Sequence, residues 1–189
     1  VTERGERRKA ELVETAVDII LGEGFAALSH RAVAARAGVP LGSTTYYFDS
    51  LEDLTVQALV RLGGRFRAHA EEVLAGFEPG GERELAAALV RMVAGPVGEP
   101  GALAFYERYV QAGRHPAYAG VVRDWNTDLV RVIVSLFARA GRDVDSDDAR
   151  LALALTDGLL VNAGGEGVAD PEGAATTALA AALPRLFPA

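Results

Sequence analysis

Glycine and proline gather at a few places along this chain: Gly22–Gly24, Gly38–Pro40, Gly76–Gly81, Gly95–Gly101, Gly113–Pro116, Gly141 and Gly164–Pro171. Between these breaks the apolar residues recur every three or four positions, the spacing of one helix face, while the alternation of a half-buried strand is hard to find. Alanine, the strongest helix former, supplies 35 of the 189 residues. The punctuation predicts nine helices, over 7–22, 30–37, 41–47, 51–75, 82–94, 101–112, 116–140, 147–163 and 171–187. The fold class is therefore all-α.

Several predicted ends carry their own chemistry. Ser50 precedes Leu51, Glu52, Asp53 and Leu54, so its hydroxyl can cap a helix while Asp53 reaches back to it. Ser146 stands before Asp147 and Asp148, acids placed at a positive helix end. Asp170 before Pro171 pairs a capping residue with a first-turn proline.

Composition removes several classes of function. There is no cysteine, so disulfides, thiolate metal sites and a cysteine nucleophile are excluded. Asp157 interrupts the longest apolar run, and no membrane span is expected. The charged start Glu3–Lys9 has no apolar stretch of the signal-peptide kind, so a cytoplasmic protein is expected. Residues 1–69 carry 9 basic and 9 acidic side chains, while 70–189 carry 10 and 17 and so supply the whole net charge of −7. Such an acidic remainder argues against a general polyanion binder and confines any nucleic-acid contact to the first third. The densest basic cluster is Arg4, Arg7, Arg8 and Lys9, which reads equally as a solvated helix start.

Residues 30–47 break the long-helix pattern. A short helix through Arg31, Val33, Ala34 and Arg36 is followed by the turn Gly38, Val39, Pro40 and a second short helix from Leu41 to Tyr47. The spacing suits a helix-turn-helix: small Ala34 permits a close crossing and Gly38 can take the left-handed turn. Val33, Val39 and Phe48 would seat the unit on Val13, Ala16, Val17 and Ile20 of the first helix. Ser43, Thr44, Thr45, Tyr46 and Tyr47 are mediocre helix formers, and all five carry hydroxyls. Hydroxyls can bond phosphates, and threonine methyls can pack on thymine. A polar turn with both tyrosines packed inward is the alternative.

Residues 7–54 resemble the DNA-binding domain of TetR-family transcriptional regulators. The resemblance rests on the amphipathic first helix ending at Gly24 and Phe25, and on the run from Leu28 through Ser29, His30 and Arg31 to Ala34. It continues through Ala37, Gly38, Val39, Pro40, Leu41, Gly42 and Ser43, then Tyr46, Tyr47, Phe48, Asp49, Ser50, Leu51, Glu52, Asp53 and Leu54. It implies a helix-turn-helix domain over 1–50 and a helical effector-binding and dimerisation domain over 51–189. Ser29 and Arg31 would contact phosphate; Gly42, Ser43, Thr44, Thr45 and Tyr46 would face the major groove; Tyr47 would reach the backbone. Two positions depart from the family, which usually has tyrosine in place of Thr45 and lysine in place of Leu51. Losing that lysine removes one phosphate partner.

In the remainder, Tyr118, Val121, Val122, Trp125, Leu129, Val132, Ile133, Leu136 and Phe137 form one broad apolar stripe. Helix 147–163 is apolar almost all round, through Leu151, Leu153, Leu155, Leu159, Leu160 and Val161. Helix 171–187 adds Ala174, Ala175, Ala178, Ala182 and Leu183, small residues that let helices approach. These two helices are read as a homodimer interface, with intramolecular packing as the alternative. A small-molecule effector would lie among the middle helices, with walls from Met92, Phe105, Tyr106, Tyr109 and Trp125. Arg108, His115, Asn126, Asp157 and Asn162 are the polar candidates. The aromatics can equally be plain core, and Asp157 can pair with Arg123 or Arg131; left unsatisfied, an acid in so apolar a helix is costly.

No catalytic or metal-binding set appears, and no cofactor is expected. His30, His69 and His115 have no partners at ligand spacing, Gly42–Thr44 lacks the lysine of a phosphate loop, and Asp143–Asp148 lacks the sixth-position glycine and final glutamate of a calcium loop. The expectation is a homodimeric, ligand-responsive regulator, a repressor that binds double-stranded operator DNA. The effector would favour a conformation in which helix 51–75 tilts the DNA-binding domains apart. A helical ligand-binding or interaction protein that no longer binds DNA is the alternative.

Overall fold

The computed structural model describes residues 3–96 and 99–188, and the side chains among them other than those of 99–105. The described residues form nine α-helices and no strand: α1 (Glu3–Glu23), α2 (His30–Arg36), α3 (Leu41–Tyr47), α4 (Leu51–Ala75), α5 (Glu82–Ala94), α6 (Glu99–Arg114), α7 (Pro116–Arg139), α8 (Ser146–Gly165) and α9 (Pro171–Leu186). A 3-10 turn (Phe25–Ala27), not foreseen from the sequence, lies between α1 and α2. No helix among the described residues is long and apolar enough to cross a membrane.

The helix count agrees with the glycine and proline punctuation, and the differences at the ends have local causes. Helix α1 starts at Glu3 rather than near residue 7, and its first turns carry the exposed pairs Arg7–Glu3 (3.3 Å) and Arg8–Glu11 (2.8 Å) at helical spacing. Ser50 caps α4 by accepting from the Asp53 amide at 3.0 Å, but the Asp53 carboxylate accepts from Asp49 N rather than from Ser50. At α8 the cap is Asp145 and not Ser146, which is the first helical residue. The Asp145 carboxylate accepts from both Asp147 N (2.8 Å) and Asp148 N (2.9 Å), serving two orphan amides where a hydroxyl would serve fewer. Asp170 caps α9 ahead of Pro171, accepting from Gly173 N at 2.9 Å.

The helices sort into two compact units. The first holds α1, α2, α3, the part of α4 up to Gly64, α6 and the start of α7 up to Asp124. This unit reaches beyond the helix-turn-helix segment, because α6 packs on α1. Its core is built on Leu12, Val13, Ala16, Val17, Ile19 and Ile20 of α1, with Val33, Ala34, Phe48, Leu54, Ala58, Leu59 and Leu62 also buried.

The second unit holds the rest of α4 from Arg65, all of α5, α7 from Trp125, and α8 and α9. Helix α5 packs on α9, with Leu85, Leu89, Val93, Leu179 and Leu183 buried. Arg142, 8% exposed, donates to the main-chain oxygens of Leu183 and Phe187 and to the Glu82 carboxylate. One guanidinium thereby satisfies carbonyls at the end of α9 and joins them to the start of α5, a use its several fixed donors suit.

Gly95 ends α5 at φ 74° and ψ −170°, backbone open in practice to glycine alone. A Cβ there would overlap the ring of Phe66, which is itself packed on Trp125 with centroids 4.9 Å apart. Gly95→Ala is expected to cost about 3 kcal/mol by strain and overpacking together. In a chain of this size that lowers Tm by about 6–12 °C. Gly64 is the contrast: it is exposed inside α4, and an added methyl group would meet only open space. Gly64→Ala should therefore raise stability by about 0.5–1 kcal/mol. Thermal unfolding followed by circular dichroism measures both, and similar Tm values for the two variants would contradict this account.

Candidate nucleic-acid interface and effector residues

Helix α2 is seven residues long and begins at a capped end: the Ser29 hydroxyl oxygen accepts from Ala32 N at 3.1 Å. The same hydroxyl still has its hydrogen to donate. After α2 the chain reverses through Gly38, at φ 67°, with Val39 N donating to Ala34 O at 3.0 Å. Pro40 then leads into α3, where Ser43 N donates to Pro40 O at 2.9 Å.

Helix α3 is divided by face. Thr44 is fully buried and its hydroxyl donates to Leu41 O at 2.8 Å, and Phe48, four residues on, is buried as well. Thr44, expected from the resemblance to face a groove, is thus placed on the inward side of the helix. Its side chain is part of the seat that holds the helix, because position 44 shares a face with Phe48. Gly42, Thr45 and Tyr46 are exposed, Tyr46 to 81%, while Ser43 and Tyr47 are half-buried. The Tyr46 and Tyr47 rings meet edge to face at 5.0 Å and 84°, an arrangement that steadies an otherwise projecting ring. Leu41, 47% exposed at the start of α3, belongs to the same open face and was not singled out from the sequence.

The basic residues of the first unit also sort themselves. Arg7, Arg8, Arg36 and Arg61 are paired with Glu3, Glu11, Glu23 and Glu14. Arg31 is exposed on α2, and neither it nor Arg4 or Lys9 has an acidic partner among the described residues. The Lys9 ammonium instead stands over the Phe48 ring, 5.6 Å from its centroid, a cation–π contact. Between α1 and α4 lies an open groove of about 520 Å³ lined by Glu6, Lys9, Ala10, Val13, Glu14, Gln57, Val60 and Arg61.

The residues expected around an effector fall in both units. In the first, Tyr106 and Tyr109 are half-buried on α6, and the fully buried Arg108 stacks on Tyr109 at 4.0 Å, with Tyr106 at 5.8 Å. His115 is exposed, and its ring lies 4.9 Å from that of Tyr118. The Phe105 side chain lies outside the described residues. In the second unit, Met92 is fully buried, Trp125 is 5% exposed against Phe66, Asn126 and Asp157 are half-buried, and Asn162 is exposed. Arg131, one of the two expected partners of Asp157, donates to Asp128 at 2.5 Å. Among the described residues there is no group of three or more side chains that could hold a metal ion.

On α8 and α9 the apolar residues lie on two faces, with Leu155, Leu159 and Ala182 half-buried between them. Leu153, Leu160, Ala175 and Leu183 are buried within the unit. Leu151 (46% exposed), Ala154, Gly158 and Val161 (37%) run down the outer face of α8, and Ala174, Ala178 and Ala181 run down that of α9.

Comparison with known proteins matches this architecture to one family. Residues 80–187 match the family described as the C-terminal domain of tetracycline repressor-like proteins. Among solved structures, the multidrug binding protein EbrR in complex with imidazole is 30% identical, with a TM-score of 0.75 over 100% of this chain and 95% of that one. EbrR has also been solved with proflavin, ethidium and malachite green. A member of the TetR family, SCO1917 from Streptomyces coelicolor A3, is 32% identical, with a TM-score of 0.68 over 96% of this chain and 99% of that one. No curated protein matches by sequence. By the residues matched and by these likenesses, the chain belongs to the TetR family of transcriptional regulators.

Proposed function

We propose that this chain is a repressor that binds a palindromic DNA operator as a homodimer and is released by a small aromatic cation. The observation that carries the DNA reading is the divided face of α3: Thr44 and Phe48 hold the helix from below, while Gly42, Thr45 and Tyr46 stand clear of it. A helix so anchored can enter a major groove with its side chains already placed. Ser29 and Arg31 at the start of α2 supply phosphate contacts, and Ser43 and Tyr47 lie at the margin of the same face. Two copies related by a two-fold axis would present two such helices to a palindrome.

The outer apolar stripe of α8 and α9 supports dimerisation, since burying it on a second copy removes leucine, valine and alanine surface from water. The effector reading rests on Trp125, Asn126 and Asp157 of the second unit, together with the buried Met92. A carboxylate and an indole are groups that suit an aromatic cation, and ethidium, proflavin and malachite green, which bind EbrR, are of that kind. To release DNA, the effector must bind the DNA-incompetent conformation more tightly, by about 1–3 kcal/mol for a typical coupling.

Titration against DNA from upstream of the chain's own gene, at two salt concentrations, tests the first part. One fragment should bind tightly, with affinity falling steeply as salt rises. Tyr46→Ala should weaken that binding at least about tenfold without changing Tm, because the side chain is exposed. Ser29→Asp retains a capping oxygen yet sets a negative charge against phosphate, so folding should hold while DNA affinity drops. Absence of binding even at low salt would leave a helical ligand-binding protein instead.

Sedimentation tests the interface: the native chain should run as a dimer, and Leu151→Glu as a folded monomer. Fluorescence titration with ethidium tests the effector site. Asp157→Asn should weaken ethidium at least about tenfold and leave a neutral aromatic ligand unaffected, whereas equal losses for both would remove Asp157 from the site.

A further inference from the structure

The reversal between α1 and α2 is held from a distance. Gly24 N donates to Ile20 O at 3.0 Å, Ala27 N to Gly24 O at 3.3 Å, and Leu28 N to Phe25 O at 3.1 Å, all local bonds. Phe25 N, an orphan amide at the start of the 3-10 turn, donates instead to Glu107 Oε2 at 3.2 Å, across 82 residues of sequence. The other carboxylate oxygen is fixed too, since Gln111 Nε2, one helical turn along α6, donates to Glu107 Oε1 at 3.1 Å. Gly24 makes room for this contact: at φ 82°, a Cβ there would stand 3.1 Å from Glu107 Oε2. Glycine spacing, an orphan amide and an oriented carboxylate thus meet at one point, within the packing of α6 on α1.

We propose that Glu107 is a positioning residue for DNA recognition. Its carboxylate pins the Gly24–Phe25 turn and so sets the direction in which α1 hands the chain to α2 and α3. The inference rests on the DNA-binding reading above, but its residue touches no DNA. A hydrogen bond to a charged acceptor is stronger than one between neutral groups. Losing it loosens the turn that sets the angle at which α2 and α3, still packed on each other, sit against α1. The consequence falls on sequence-specific binding, which needs all base contacts in register, more than on non-specific attraction to phosphate.

The test is amide exchange at Phe25 by NMR, together with affinity for the operator and for an unrelated fragment, in the full chain. Glu107→Ala is expected to speed Phe25 exchange and to weaken operator binding, each about tenfold or more, with non-specific binding close to native and the chain still folded at a lowered Tm. Glu107→Gln should restore most of both. Its amide oxygen can still accept from Phe25 N, and the Gln111 amide can turn to receive the new N–H. Should Glu107→Ala fail to fold, Gln111→Ala, which only loosens the carboxylate, is expected to show the same two effects in smaller measure. Faster exchange with unchanged operator affinity would overturn the positioning role, as would unchanged exchange. A native chain that binds no DNA at all would instead overturn the regulator reading and this role with it, whatever the exchange shows.

Discussion

The apolar face of α1 is the constraint on which the first unit depends. Leu12, Val13, Ala16, Val17, Ile19 and Ile20 are all buried on one helix, and α2, the 3-10 turn and α6 all pack on that helix. Each large side chain buried this way contributes about 1.5–3 kcal/mol before entropy is counted. A seven-residue helix such as α2 or α3 has no stability of its own. Both exist because burial of Val33, Ala34, Thr44 and Phe48 supplies what their length cannot.

That arrangement separates stability from recognition by face. Helix α3 can tolerate poor helix formers at Gly42, Thr45 and Tyr46, because Thr44 and Phe48 on its other side hold it in place. The same division recurs in the second unit. One face of α8 and α9 packs inward through Leu153, Leu160, Ala175 and Leu183, and an equally apolar face is left outward. Arg142 keeps the end of α9 attached to the start of α5 by satisfying carbonyls that the helix itself cannot.

Local signals were legible where they involved neighbours in sequence. The nine helices follow from glycine, proline and apolar period, and the caps at Ser50 and Asp170 follow from residue type. Asp145 was missed as a cap because Ser146 and Asp145 are both good candidates and only geometry decides which lies just outside the helix. The burial of Thr44 was not legible, because seven residues contain too few turns for period to separate inward from outward. Its offset of four from the apolar Phe48 was the available clue. The family resemblance lay in residues 7–54, whereas the matched family region is 80–187, where similarity is carried by helical pattern more than by motif.

Sequence alone determined the helices, most of their ends, the uneven charge and the family resemblance, because each depends on residues a few positions apart or on composition. The chain's third dimension decided which side of α3 and of α8 is open, which arginines are already neutralised by acids, and that α6 joins the unit of α1. It also decided that Glu107 meets Phe25. A contact across 82 residues has no period and no local cost for a sequence to display. It exists only once burial of the α1 face has brought α6 alongside.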